Sequence, residues 1–273
     1  MTTPELNYVV EAADTLPDDA PWVVLSNSLG STLAMWDRTV PALAEVARVL
    51  RYDTRGHGGS EVIDAPATMD DLAGDLLALM DRLDIERAHL VGLSLGGSTV
   101  LRAAQLQPQR VRSAAVLCSA AYFGPAEGWQ ARASLVREKG TEAVADAVVA
   151  RWYTAAFAQA EPQRYAAARA MIAATPAAGY AACCDAIAGW DARDSLGQVQ
   201  APLLAIAGAE DPSTPPADLR VIAEGVAHGR LTVVDNSAHL ANDEQPEIVN
   251  AALREHLRLS DEPDGRTSAG EDN

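Results

Sequence analysis

The chain has 273 residues, 48% of them hydrophobic and 22% charged, with a formal net charge of −17. This composition suits a globular chain with one large core, and the acid surplus argues against nucleic acid or an anionic membrane as partner. No run of about 20 apolar residues occurs, so no membrane-spanning helix is expected.

The N-terminal "MTTPELNYVV" has no basic segment followed by an apolar one, so no secretory signal is read there. Three cysteines, Cys118, Cys183 and the adjacent Cys184, form a poor disulfide framework, and a reduced, cytoplasmic setting is expected. Six apolar runs then read as strands: Trp22 to Asn27, Val46 to Asp53, Ala88 to Leu93, Arg112 to Ser119, Pro202 to Gly208 and Arg230 to Asp235. Several are apolar almost throughout, as in strands buried on both faces of a mostly parallel sheet. Helical patterns lie between them. One spans Asp70 to Leu83, with Leu72, Leu76, Met80 and Leu83 on one face and a capping box of Thr68 with Asp71 before it. Another begins at Pro246 and carries Ile248, Val249, Leu253 and Leu257. The alternation predicts an α/β fold with a doubly wound, mostly parallel central sheet flanked by helices.

Between about Tyr122 and Asp194 the strands stop. The alanine-rich stretches "SLVREKGTEAVADAVVARWYTAAF", "RYAAARAMIAA" and "GYAACCDAIAGW" read as helices laid over the C-terminal edge of the sheet, where open α/β sheets place their sites. The expected organisation is a core of residues 1–121 and 195–258, a helical cap of residues 122–194, and an acidic, disordered tail of residues 259–273.

The chemistry centres on Gly92-Leu93-Ser94-Leu95-Gly96, a G-x-S-x-G run between a strand and a helix. That context predicts a nucleophile elbow: a serine on a strained turn with its hydroxyl above the sheet, flanked by glycines where the backbones pass closely. The plain alternative is a tight turn with an inert serine. A serine nucleophile needs a base, and His239 follows the last strand in "RLTVVDNSAHLANDEQP". His57, in "DTRGHGGS", is the rival, although its glycine-rich loop suits a structural hydrogen bond. His89 reads as a core-edge group, His228 as a turn residue, and His256 as solvated beside Arg254 and Glu255. The orienting carboxylate comes from "PLLAIAGAEDPSTPP", with Asp211 preferred over Glu210. The plain alternative for either is a charge ahead of a helix at Pro215 and Pro216. An oxyanion hole is expected from the N–H groups of Leu29, in "LSNSLGSTLAMWD", and Leu95 at the helix start. No H-x-x-x-H or Cys-x-x-Cys occurs, so no metal is expected, and Cys183-Cys184 reads as buried on a cap helix.

Together "VVLSNSLGSTLAMWD", "VLRYDTRGHGGS", "VGLSLGGS", "AIAGAEDPSTPP" and "AHLANDEQP" resemble the 3-oxoadipate enol-lactonase family of α/β-hydrolases, from about Leu6 to His256. Asn27-Ser28-Leu29-Gly30 replaces the His-Gly with which most α/β-hydrolases begin the oxyanion loop, and it is similar to the lactonase group; Leu95 stands where members often carry methionine. The resemblance implies a Ser94–Asp211–His239 triad and opening of a small enol-lactone to a 3-oxo-dicarboxylate, without cofactor or metal. Trp129, Trp152 and Tyr153 are expected to wall the substrate pocket, and Arg132, Arg137 or Arg151 to meet a substrate carboxylate; the plain alternative for each arginine is a charge that solvates a cap helix. The rival functions are a general carboxylesterase or thioesterase and a non-catalytic ligand receptor on the same scaffold.

Overall fold

The computed structural model of the chain describes residues 3–12, 15–17 and 19–261. Its strands are β1 (Tyr8–Glu11), β2 (Trp22–Ser26), β3 (Arg48–Tyr52), β4 (Ala88–Leu93), β5 (Val111–Leu117), β6 (Leu203–Gly208) and β7 (Gly229–Val234). They form one sheet in the order β1-β3-β2-β4-β5-β6-β7. β1 is antiparallel to β3, and every other pairing is parallel. β1 was not among the six expected runs. It is an edge strand of only four residues, half-buried along its length, too short for its Tyr8-Val9-Val10 run to stand out. The central "AHLVGL" and "LLAIAG" are buried at every position, which is why they read as continuous apolar runs and not as alternating ones.

The helices, in chain order, are α1 (Val40–Leu43), α2 (Met69–Arg82), α3 (Leu95–Leu106), α4 (Ala126–Lys139), α5 (Glu142–Trp152), α6 (Ala155–Ala160), α7 (Pro162–Ala174), α8 (Ala177–Ala188), α9 (Pro216–Gly225), α10 (Ala241–Glu244) and α11 (Pro246–Asp261). α2 starts at the expected box: Asp71 N–H donates to Thr68 Oγ1 at 3.2 Å, and Thr68 N–H donates to Asp71 Oδ2 at 2.8 Å. Helices α4 to α8 occupy the stretch between β5 and β6, with α4 packed on α8 and α5 on α7. The two ends of this stretch meet. Tyr122 and Asp191 form an antiparallel bridge, and Ala192 N–H donates to Ala121 O at 2.8 Å. Gly56 and Gly179 touch backbone to backbone, so α8 sits directly on the loop after β3; a Cβ on Gly56 would lie 2.3 Å from Gly179 Cα.

Among the described residues no single helix is long and apolar enough to cross a membrane. The expected tail begins too early: α11 carries residues 259–261, and residues 262–273 lie outside the described residues.

α11 corrects two further expectations. Ile248 is exposed, whereas Val249, Leu253 and Leu257 face the core. His256 is not solvated but 1% exposed. It follows Val249 by seven residues, two helical turns, and so shares its buried face. Its Nε2–H donates to Ala114 O at 2.9 Å, and Arg230 donates to Nδ1 at 3.2 Å.

Burial drives the His256 pKa down to about 4; the Ala114 carbonyl opposes this, and the nearby Arg230 charge adds to it. The unfolded chain therefore binds a proton that the folded chain refuses. The associated stability is complete above the unfolded value of about 6.5 and is lost as pH falls toward 4, by about 3 kcal/mol in all. Urea midpoints measured from pH 7 to pH 4 should fall, and the fall should be shallower in His256→Gln. An equally steep fall in that variant would assign the acid sensitivity to other groups.

Candidate active site

Four loops at the C-terminal ends of β2, β4, β6 and β7 build the site. Sheet order reverses around β2, whose neighbours are β3 on one side and β4 on the other, and this opens a crevice at their C-terminal ends.

The β4 loop is the elbow. Ser94 caps α3 with φ 57° and ψ −115°, a strained conformation for a residue with a side chain. The flanking glycines are there for space. A Cβ on Gly92 would lie 2.1 Å from Gly96 O, one on Gly96 would lie 2.1 Å from Ser26 O, and one on Gly97 would lie 2.7 Å from Ser119 Cβ. The turn is tied down by Ser94 N–H donating to Leu117 O at 2.9 Å and by Ser119 Oγ donating to Ser94 O at 2.7 Å. Leu95 is the first residue of α3, so its N–H has no carbonyl one turn back to meet.

The β2 loop brings Leu29 to the cavity. Its base is fixed by Asn27, whose Nδ2 donates to Tyr52 O at 2.8 Å and whose Oδ1 accepts from Trp36 Nε1 at 2.9 Å. Among the described residues Leu29 N–H has no hydrogen-bond acceptor.

The β6 and β7 loops bring Asp211 and His239 together. His239 Nδ1 lies 2.7 Å from Asp211 Oδ2. The same carboxylate accepts from Ser213 N–H at 2.8 Å, Thr214 N–H at 3.2 Å and Thr214 Oγ1 at 2.7 Å. Burial would raise the Asp211 pKa, but the His239 charge and these donors outweigh it and hold the carboxyl below its ordinary value. An ionised Asp211 places the His239 proton on Nδ1 and leaves Nε2 as a free acceptor. Glu210 is exposed, pointing away from its buried neighbour. Thr214 was not foreseen, although "DPST" is the pattern by which Ser and Thr donors turn back onto a preceding aspartate.

Ser94, His239 and Leu29 line one cavity of about 320 Å³, together with Trp129, Arg132, Arg151, Trp152 and Tyr180. Ser94 and His239 are 8% and 4% exposed, and both line this cavity. Leu95 does not line it with its side chain, which is fully buried.

Two expected pocket residues lie elsewhere. Arg137 pairs with Asp185, and Tyr153 donates to Asp243 Oδ2 at 2.8 Å while stacking on Phe157. Helix geometry accounts for Arg137. Trp129 and Arg132 are three residues apart and share a face of α4, with the guanidinium 4.6 Å from the indole centroid; five residues further on, Arg137 has rotated well away. Tyr180 was missed, yet it lines the cavity with a buried hydroxyl that has no hydrogen-bond partner among the described residues. Arg132 stands beside that hydroxyl, short of hydrogen-bond geometry.

The arginines between β5 and β6 divide cleanly. Arg137, Arg164, Arg169 and Arg193 each pair with a carboxylate. Arg132 and Arg151 have no carboxylate partner among the described residues, and both line the cavity. Also among the described residues, no group of three or more His, Cys, Asp or Glu side chains is placed to hold a metal ion. The three cysteines are free and buried, Cys183 and Cys184 on α8.

Comparison with known proteins agrees with this architecture. Residues 21–246 match the alpha/beta hydrolase fold family. The chain is 40% identical to 3-oxoadipate enol-lactonase 2 of Acinetobacter baylyi, over 86% of this chain and 88% of the relative. It is 39% identical to 3-oxoadipate enol-lactonase 1 of the same organism, over 85% and 86% respectively. The crystal structure of the enol-lactonase from Burkholderia xenovorans LB400 superposes with a TM-score of 0.90 at 39% identity, covering 93% of this chain and 97% of that one. This chain therefore belongs to the alpha/beta hydrolase fold family and, within it, to the ester-hydrolysing 3-oxoadipate enol-lactonase group.

Proposed function

We propose that the protein opens a small, anionic enol-lactone, 3-oxoadipate enol-lactone being the first candidate, through an acyl-enzyme on Ser94. The observation that carries this reading is the cavity at which Ser94 on its strained elbow, the His239–Asp211 pair and two unpaired arginines meet. Ser94 Oγ attacks the lactone carbonyl, and His239 Nε2 takes its proton. The N–H groups of Leu29 and Leu95 receive the charge that develops on the carbonyl oxygen. The ring C–O bond breaks, and the leaving enol oxygen stays tethered to the acyl group. An enolate is a far better leaving group than an alkoxide, so proton donation from His239 is less demanding at this step, and the enol can ketonise later. Water, deprotonated by His239, then cleaves the ester to Ser94 and releases the open dicarboxylate. No cofactor or metal enters any step.

The helices of residues 122–194 act, on this reading, as a cap that sets specificity. Arg132, held over Trp129 beside the Tyr180 hydroxyl, meets the carboxylate of the substrate, and Arg151 adds a second positive charge. Trp152 supplies an apolar wall.

The central test is turnover on a panel of small lactones and esters with and without a carboxylate. The anionic enol-lactone should be the best substrate, and a preference for neutral esters would replace this reading with that of a general carboxylesterase. Ser94→Ala should lower kcat by about 10⁴- to 10⁶-fold with the fold intact, because nucleophile and base act as a unit. Near-normal turnover in that variant would remove Ser94 from the mechanism. Asp211→Asn should cost about 10⁴-fold, since an amide donating to Nδ1 moves the imidazole proton to Nε2.

Arg132→Met should raise KM for the anionic lactone by about 10- to 100-fold, the loss expected for a hydrogen bond to a charged group. KM for a neutral ester of similar size should change little. Equal effects on both substrates would show that Arg132 supports the cavity wall and does not read charge.

A further inference from the structure

His57 is fully buried, and no step of the hydrolysis uses it. Its Nε2 lies 3.0 Å from Gly30 N and its Nδ1 3.1 Å from Arg55 O. A backbone N–H can only donate to an unprotonated nitrogen, so Nδ1 carries the ring proton and donates to the Arg55 carbonyl. Burial lowers the pKa of the ring against the pull of that carbonyl and of Asp53, which keeps the accepting form in place.

What this acceptor holds is the turn that carries Leu29. Ser31 N–H donates to Ser28 O at 3.2 Å, which closes a four-residue turn, and Gly30 at its third position has φ +80°, the type II value. Ser31 Oγ also donates to Ser28 O, at 2.7 Å. The Ser28–Leu29 peptide is thus held through its carbonyl, and its N–H, that of Leu29, points the opposite way from that carbonyl. The next peptide, Leu29–Gly30, is the central one of the turn, the unit whose orientation separates type II from type I. Its N–H is the group that His57 accepts. Both peptides flanking the Leu29 Cα are therefore pinned, one by Ser31 and the other by His57.

We propose that His57 is the positioning residue of the oxyanion hole: a neutral imidazole whose Nε2 locks the Ser28–Ser31 turn so that Leu29 N–H stays aimed into the cavity. The ring is set in turn by its neighbours. It lies near-parallel to Tyr180, with centroids 6.5 Å apart, and a Cβ on Gly30 would come within 3.0 Å of Tyr180 Cε2. The cap residue that walls the substrate cavity thus also backs the histidine and the turn it holds.

This role rests on Ser94 acting as the nucleophile, so the experiment uses p-nitrophenyl acetate, which needs no lactone specificity, and runs Ser94→Ala alongside. His57→Leu should lower kcat by about 10- to 100-fold, somewhat less than deleting an oxyanion donor outright, with KM within about twofold. Affinity for a boronic acid that forms a tetrahedral adduct on Ser94 should fall by a similar factor, whereas a purely structural residue would leave that affinity unchanged in the folded fraction. His57→Gln, which keeps a side-chain acceptor, should recover most of both. Parental kcat and boronate affinity in a folded His57→Leu would overturn the proposal. Turnover surviving in Ser94→Ala would instead defeat the hydrolase reading itself. The unmodified protein covers the case in which His57→Leu does not fold. Its histidine ¹⁵N shifts should report an unprotonated Nε2 at His57, and the Gly30 amide should shift when the boronate binds. A His57 protonated on Nε2, or a Gly30 amide indifferent to the boronate, would overturn the assignment.

Discussion

Gly96 lies where no side chain fits, its missing Cβ only 2.1 Å from the carbonyl oxygen of Ser26. That contact presses the first turn of α3 against the end of β2, whose Ser26 pairs in register with Gly92 of β4. The serine elbow and the loop that begins at Asn27 are thereby delivered to one place by a single backbone crossing. The same device recurs across the sheet. A Cβ on Gly208, at the end of β6, would lie 2.1 Å from Ala238 O, the carbonyl just before His239. Glycine at these points is a matter of excluded volume: any larger residue would push apart the strand ends whose convergence makes the site.

The residues after His239 connect this frame to the helices above it. Ala238 N–H donates to Glu244, which is buried despite its charge and also accepts Thr154 N–H at 2.9 Å and Thr154 Oγ1 at 2.8 Å. Leu240 N–H donates to Trp152 O at 2.9 Å. Both backbone neighbours of His239 are thus anchored, one through Glu244 and one directly, to the segment that supplies the Trp152 wall. Burial raises the Glu244 pKa even against these donors, a sign of how far the carboxylate is withdrawn from water. Wall and histidine therefore move together, if they move at all.

What was legible in the sequence is what depends on local pattern. The elbow declares itself because strained turn, close glycines and strand-to-helix context fall within one decapeptide, and Thr68 with Asp71 declares the start of α2 in the same way. Asp211 was preferred over Glu210, but Glu210 stayed open as the runner-up, since adjacent residues in a loop differ only in which one turns inward. Arg137 and Tyr153 went wrong for a related reason: membership of a helical stretch was legible, but the face each residue presents depends on how that stretch docks. His256 was legible in principle, being two turns from Val249 on the apolar stripe of α11, but its charged sequence neighbours masked it. Tyr180 gave no signal, because an aromatic residue in an alanine-rich helix reads as core whether or not a cavity opens beside it.

The charge balance looks at first like an obstacle to binding an anion. A formal net charge of −17 repels a carboxylate, but charge acting from a distance is weak in water. At about 20 Å in water each unit costs about 0.2 kcal/mol before screening, and a Debye length of about 8 Å reduces the sum to a few tenths. One guanidinium at about 4 Å in a partly desolvated cavity contributes several times more than that whole sum. Two unpaired arginines therefore decide the local sign. On the proposed reading, hydrolysis of the acyl-enzyme changes the balance. It creates a second carboxylate at Ser94, next to an Asp211 that His239 and its hydrogen-bond donors hold ionised against the effect of burial. On that reading the arginines attract the charge already present on the lactone, while the new charge forms beside the ionised Asp211. On the proposed reading, the same electrostatics that retain the lactone weaken the hold on its product, so release needs no separate device.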